Sequence, residues 1–297
     1  MGRCFIPAFL WVAIAIASPA WAGHDAVFWR SIVANKYAVP KGESAELLSG
    51  ELSQLLGSPD PELRDDLAYS ILARWIARPG FLSTARLNAL TDEWRANLGR
   101  SAAPGELHPV LRRSFSALCL ASMARREVQD PFMGADRYHA LLRDALAYLR
   151  DETDLRGWDA RLGWIHATAH TSDLLEALAD HPQLSKDESE AILAAIGRRL
   201  STAGYVYTQG EQDRMAAAIR SVIRRRDFEA PVFEKWLAGV QAEDAAVWEK
   251  PLTEESLATY QNHTYTLQAL AVRLALEPDS PAILSFRTQI LALLRTR

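Results

Sequence analysis

The segment Gly163-Trp164-Ile165-His166-Ala167-Thr168-Ala169-His170-Thr171-Ser172-Asp173 gathers the residue types that can do chemistry. Placed on a helix at about 100° per residue, His166, His170 and Asp173 fall within roughly a 60° arc of one face. Two imidazoles and a carboxylate so arranged can bind a divalent metal, His166 and His170 through ring nitrogens and Asp173 as third ligand or as the group that orients them. The same spacing serves two histidines that merely hydrogen-bond a neighbouring helix, and that structural role is the one the residue types favour. Ala167 stands where the zincin pattern requires glutamate, so metalloprotease chemistry by that motif is excluded.

Other side chains can be grouped with this stripe. Arg156 and Trp158 lie just upstream, and Trp164 opens the segment itself. Trp164, Ala167, Leu174, Leu175 and Leu178 read as the apolar face of the same helix, centred away from the histidines, so the polar stripe is expected to flank the core and line a groove. Glu211, Asp213 and Arg214 begin a later helix and can face the same groove, although acids in a first turn also simply stabilise the helix dipole. The run Asp151-Glu152-Thr153-Asp154 is expected to be a solvated helix end, because charges are rarely buried unpaired. No Gly-rich phosphate loop, nucleophile elbow or Cys-x-x-Cys pair occurs, and no catalytic residue can be named. The sequon Asn262-His263-Thr264 matters only in a eukaryotic source.

Helices must position these groups, since apolar residues recur at helical spacing along most of the chain. Leu48, Leu52, Leu55 and Leu56 set one such face; Met215, Ile219, Val222 and Ile223 set another; Ile283, Phe286, Ile290, Leu291 and Leu294 set a third. Asp60-Pro61, Ser280-Pro281 and the capping-box spacing Ser185 to Glu188 mark helix starts. Arg224, Arg225 and Arg226 suit a helix C-terminus. Tyr205-Val206-Tyr207-Thr208, the best strand candidate, is short enough to be a connector. About a dozen helices are expected, at the usual mean length of roughly 10–14 residues. The fold class is therefore all-α: an irregular α-solenoid or α/α superhelix of HEAT or armadillo type, with an α/α toroid as the alternative. Leu47 to Ile76 resembles one HEAT-type helical hairpin, in which Arg64, Ala68 and Leu72 follow at four-residue steps, while later hairpins do not repeat it visibly.

The bulk composition narrows the partners. The 297 residues carry a formal net charge of -4, with 24% charged and 49% hydrophobic residues, and no clustered basic footprint for nucleic acid. Residues 1–22 read as a cleaved signal peptide: Arg3 is the sole charge, Cys4 to Ala17 is apolar except for Pro7, and Ala20-Trp21-Ala22 ends in an A-x-A pattern. That run is shorter than the roughly 20 residues a membrane-spanning helix needs, although an uncleaved anchor is the competing reading. Residues 23–297 are then expected to form one soluble, all-helical domain, periplasmic or secreted, with no transmembrane span. Only Cys119 remains after cleavage, among Phe115, Leu118 and Leu120, where a buried, inert thiol is expected.

Four blocks carry a family resemblance: Ser58-Pro59-Asp60-Pro61-Glu62-Leu63-Arg64-Asp65; Arg113-Ser114-Phe115-Ser116-Ala117-Leu118; Gly163 to Leu175; and Glu211-Gln212-Asp213-Arg214-Met215. Together they resemble the bacterial domain-of-unknown-function family 2785, over about residues 29 to 240. The resemblance implies a helical protein without an assigned activity. It also implies a cytoplasmic setting, from which the leader departs, and a Gly-Ile-Gly-Glu-type loop that is replaced here by Gly99 to Glu106. The function expected is a non-catalytic binding module whose concave groove, with Arg156, Trp158, Trp164, His166, His170, Asp173, Glu211 and Arg214 as candidate lining, holds a protein, peptide or cell-envelope ligand without a cofactor. A metal-assisted hydrolase using His166, His170 and Asp173 is the alternative.

Overall fold

The computed structural model describes residues 23–102 and 104–296, so the leader read at residues 1–22 lies outside it. Among the described residues there are twelve α-helices and almost no strand. In chain order they are α1 (Ala26–Ala34), α2 (Ala45–Leu55), α3 (Ser70–Ala77), α4 (Thr84–Leu98), α5 (Pro109–Gln129) and α6 (Ala135–Asp151). After a two-stranded ribbon, β1 (Trp158–Asp159) with β2 (Gly163–Trp164), come α7 (Ala167–Ala179), α8 (Lys186–Thr202), α9 (Glu211–Ile223), α10 (Ala230–Val247), α11 (Glu254–Ala275) and α12 (Pro281–Leu294). A π-wound stretch, Glu62–Tyr69, runs into α3 without a break. None of the helices is long and apolar enough to cross a membrane, among the described residues.

Side chains at the helix starts do what the sequence marks them for. Ser185 and Glu188 form a reciprocal capping box, Ser280 accepts from the Ile283 amide, and Asp60 accepts from the Glu62 amide at 2.9 Å. Arg224 follows the last residue of α9 and pairs with Asp180, while Arg225 donates to the carbonyls of Ala179, His181 and Leu184 at the end of α7 and just beyond it. Tyr205 to Thr208 forms no strand and connects α8 to α9. Cys119 is fully buried, and burial pushes its thiol well above the usual range, which suits an inert packing residue.

Alternate helices form two layers. One row runs α3, α5, α7, α9, α11, each packed on the next; the other runs α4, α6, α8, α10, α12. Small residues let the first row pack closely: Ser114, Ala117 and Ala121 on α5, Ala167 and Ala169 on α7, and Ala216, Ala217 and Ala218 on α9 are all buried. A single apolar core follows the rows from Trp29 to Ile290.

Arg64 is the most unusual member of that core. Its side chain is fully buried, its guanidinium lies over the Phe115 ring at 4.8 Å, and its Nε has no hydrogen-bond partner among the described residues. Nη1 donates to the Ser58 carbonyl at 2.7 Å, and Nη2 donates to the carbonyls of Leu162 and Trp164, the latter at 3.1 Å. Desolvation lowers its pKa, with Asp65 and Asp60 opposing. The π-wound stretch is thereby clamped to the ribbon about a hundred residues downstream. Arg64→Met keeps the bulk and leaves these buried or half-buried acceptors without their donor. It is expected to reduce unfolding free energy by about 2–4 kcal/mol in urea titration; an unchanged midpoint would show that the carbonyls are satisfied some other way.

Candidate functional site

The ribbon is short because its turn is tight. Asp159 Oδ1 accepts from the amides of Arg161 at 2.9 Å and Leu162 at 3.1 Å, and Gly163 adopts φ +67°. A side chain at 163 would also press on Pro61, with a Cβ only 2.9 Å from the Pro61 Cβ. Trp158 lies opposite Trp164 in antiparallel register. Alternation puts Trp158 and Trp164 on one face of the ribbon, and the His166 ring lies against Trp164, while Ile165 points into the core. Trp158 is 52% exposed and Trp164 is 40% exposed.

His166 does not belong to the helix that its spacing suggests. It precedes α7 at φ +51°, a left-handed conformation uncommon for a residue with a side chain, and it is where the chain turns from ribbon to helix. Trp164 likewise lies on the ribbon and not on the apolar face of α7. The His166 ring stacks on Trp164 at 4.6 Å and 18°, and its Nε2–H donates to the Gln209 carbonyl at 2.9 Å. Glu211, almost wholly buried, holds the Gln209 amide at 2.9 Å through Oε2 and sets Oε1 3.6 Å from His166 Nε2. Gly157 is required beside them, since any side chain there would overlap Glu211 and Gln209.

His170 and Asp173 do share a face of α7, but both are buried. Ser114 donates its hydroxyl to the Ile165 carbonyl, so His170 Nδ1–H must be the donor in the 2.8 Å contact with Ser114 Oγ. The His170 ring meets Phe115 edge-on at 5.0 Å and His166 at 5.6 Å. Both carboxylate oxygens of Asp173 accept from Arg214, at 2.8 and 2.7 Å, and the Arg214 side chain is 49% exposed. All three stripe residues are thus engaged by protein partners, and among the described residues no group of three or more His, Cys, Asp or Glu is placed to hold a metal ion. The stripe joins neighbouring helices of one row, inside the core instead of flanking it; the open face beside it is the ribbon.

The remaining candidates separate. Arg156 is half-exposed and pairs with Asp154 at 2.7 Å and Asp159 at 3.2 Å, which holds its guanidinium at the ribbon edge. Glu152, expected to be solvated, is buried and takes a two-pronged bond from Arg113 at 2.7 and 3.0 Å, while its Oε1 also accepts the Thr153 and Asp154 amides. A paired carboxylate can be buried, and Arg113, thirty-nine residues earlier, gives no local sign of the pairing. Gln209, Ser114 and Arg64 also build the site without any sign in the sequence except their membership of the resemblance blocks or their closeness to them.

A family model described as a protein of unknown function, DUF2785, matches residues 106–272, more than half of the chain, and the chain belongs to this family. The matched stretch contains the ribbon, the histidines and Arg214, whereas the Ser58 to Asp65 block precedes it. No curated protein and no solved structure matches the chain.

Burial lowers the pKa of His166 despite the nearby Glu211 carboxylate, and lowers that of His170 well below the usual 6.5, helped by His166 and Arg214. Both rings are therefore neutral in the folded protein at pH 7, and below about 6.5 the unfolded chain takes up more protons than the folded one. Stability is complete above that value and falls as pH drops toward the folded pKa values. The urea midpoint is expected to decline between about pH 7 and 5.5, and His170→Asn, which retains a donor for Ser114, is expected to flatten the decline. The same slope in wild type and variant would remove His170 as its cause.

Proposed function

We propose that this member of the DUF2785 family is an exported helical-repeat binding module, periplasmic or secreted, whose contact face is the tryptophan ribbon. One observation carries the reading: two tryptophans stand directly opposite each other, both substantially exposed, on a ribbon whose backbone is clamped by a buried arginine. Rigid aromatic side chains give much contact area for little lost entropy, and tryptophan and arginine are the residues most often found at binding hot spots. Trp158 and Trp164 suit a ligand with flat apolar faces, such as a sugar ring or a peptide side chain. Arg156 and Arg214 are half-exposed cations held in place by Asp154 and Asp173, which suits a carboxylate on that ligand. A cell-envelope polymer with ring faces and free carboxylates has both features, and an exported protein would meet it.

No cofactor is needed for such contact. Against the metal-assisted alternative, Asp173 is already held by Arg214, and among the described residues no three His, Cys, Asp or Glu side chains converge on one point. The two-layer order of alternate helices supports the solenoid reading, with the ribbon inserted where α6 hands over to α7.

The test is a titration of the purified protein with soluble acidic cell-wall glycopeptide fragments, followed by tryptophan fluorescence and calorimetry. Saturable binding is expected, weakened about 10-fold or more by Trp158→Ala or Trp164→Ala, the scale of a hot-spot truncation. Absence of saturation, or binding indifferent to both substitutions in folded variants, would sink the proposal.

A further inference from the structure

A second cluster lies away from the ribbon, where α8, α10 and α11 meet. His263 on α11 is completely buried. Its Nδ1 is 2.8 Å from Asp244 Oδ1 on α10, and its Nε2 is 3.3 Å from Ser201 Oγ near the end of α8. Donation of Nδ1–H to the Asp244 carboxylate fixes the tautomer in which Nε2 is an acceptor directed at the hydroxyl. Hydroxyl, imidazole and carboxylate are therefore connected in the order that nucleophilic catalysis requires: a nucleophile, a base within reach of its proton, and a third group orienting the base.

The hydroxyl end of this chain meets open space. Ser201 lines a groove of roughly 540 Å³ between α8 and α10, whose apolar wall includes Leu193, Val232, Trp236 and Val240. Trp236 brings a second and independent feature. Its Nε1–H is buried without a hydrogen-bond partner among the described residues and lies against Gly197, one helical turn before Ser201, where a Cβ would come within 3.0 Å of it. Gly197 thus keeps an unsatisfied donor near the serine. Arg198 and Lys235 also border the groove, balanced by Glu190 and Glu243, with Lys235 paired to Glu190 at 3.1 Å.

We propose that Ser201, His263 and Asp244 are nucleophile, base and orienter of a hydrolytic site that cleaves esters with an apolar acyl group bound in the groove between α8 and α10. Ser201 Oγ adds to the ester carbonyl carbon while its proton passes to His263 Nε2. The bond from carbonyl carbon to alcohol oxygen breaks, and the alcohol leaves with that proton. A water molecule then attacks the acyl-serine, giving one proton to His263 as it does so, and the serine oxygen regains a proton from His263 as the acid leaves. One ester and one water become one acid and one alcohol, with no metal and no redox partner. Trp236 Nε1–H, unpartnered among the described residues beside Gly197, is the donor assigned to the negative charge that develops on the carbonyl oxygen. In the resting arrangement the Ser201 hydroxyl donates to Glu243, with the Gly197 carbonyl also within 2.9 Å. The Glu243 side chain is 56% exposed, so a substrate entering the groove can displace it into solvent and let the hydroxyl turn to His263.

The test uses the purified protein, a fluorophosphonate probe read by peptide mass spectrometry, and p-nitrophenyl butyrate as substrate. Phosphonylation at Ser201 is expected, with ester hydrolysis that falls to background in Ser201→Ala and by about 10²-fold or more in Asp244→Asn, each checked for an unchanged melting curve. Because Ser201 is only partly buried, Ser201→Ala serves as the control even where a substitution in the buried pair unfolds the protein. Folded wild type that leaves Ser201 unlabelled, labelling confined to other residues, or hydrolysis equal in wild type and Ser201→Ala would overturn the proposal.

Discussion

The arrangement depends on a buried guanidinium that bonds to carbonyls and not to a carboxylate. Arg64 reaches from the π-wound stretch before α3 to the backbone of Leu162 and Trp164, across a separation in sequence that no local preference bridges. A two-stranded ribbon is only marginally stable alone, so its order has to come from outside. Arg64 supplies hydrogen bonds from one side, Gly163 permits Pro61 to pack against the turn, and Gly157 permits Glu211 and Gln209 to pack against the other end. With the backbone fixed on three sides, two tryptophans can face water and still hold one geometry.

The same constraint explains the strained residue. His166 is held in its left-handed conformation because its amide donates to the Arg156 and Gly157 carbonyls, its ring stacks on Trp164, and its Nε2 is engaged by Gln209. Such strain persists only where surroundings over-determine it. Behind it, the closely packed row of α5, α7 and α9 is joined by polar contacts: Ser114 with His170, Thr168 with Tyr207, and Gln212 with the Tyr207 carbonyl. Small side chains bring the helices close enough for these short polar groups to meet, and their mutual satisfaction removes the penalty of burying them.

Much of the fold was legible in the sequence because helices announce themselves locally. Ser185 with Glu188, Ser280 before Pro281, and the apolar period through Met215, Ile219, Val222 and Ile223 all depend on residues within two turns of each other. The candidate site was legible in its membership more than in its shape. Trp158 and Trp164 share a face of a ribbon with only two residues per strand, too short to stand out in the sequence, and His166 leaves the helix because of contacts with Gln209 and Trp164 that its neighbours in sequence cannot reveal. Glu152 with Arg113, Arg64 with Trp164, and Ser201 with His263 and Asp244 are long-range pairings, and only the packed layers bring them together.

That the ribbon is a rigid part of the core, and not a loop resting on it, is tested most directly by amide hydrogen exchange at Ile165 and His166, which donate to Gly157 and Arg156. If Arg64 and the two glycine contacts fix the ribbon, these amides exchange only on the timescale of the α5 and α7 core amides, through global opening. Exchange at the rate of a solvent-exposed loop, while α5 and α7 stay protected, would contradict it.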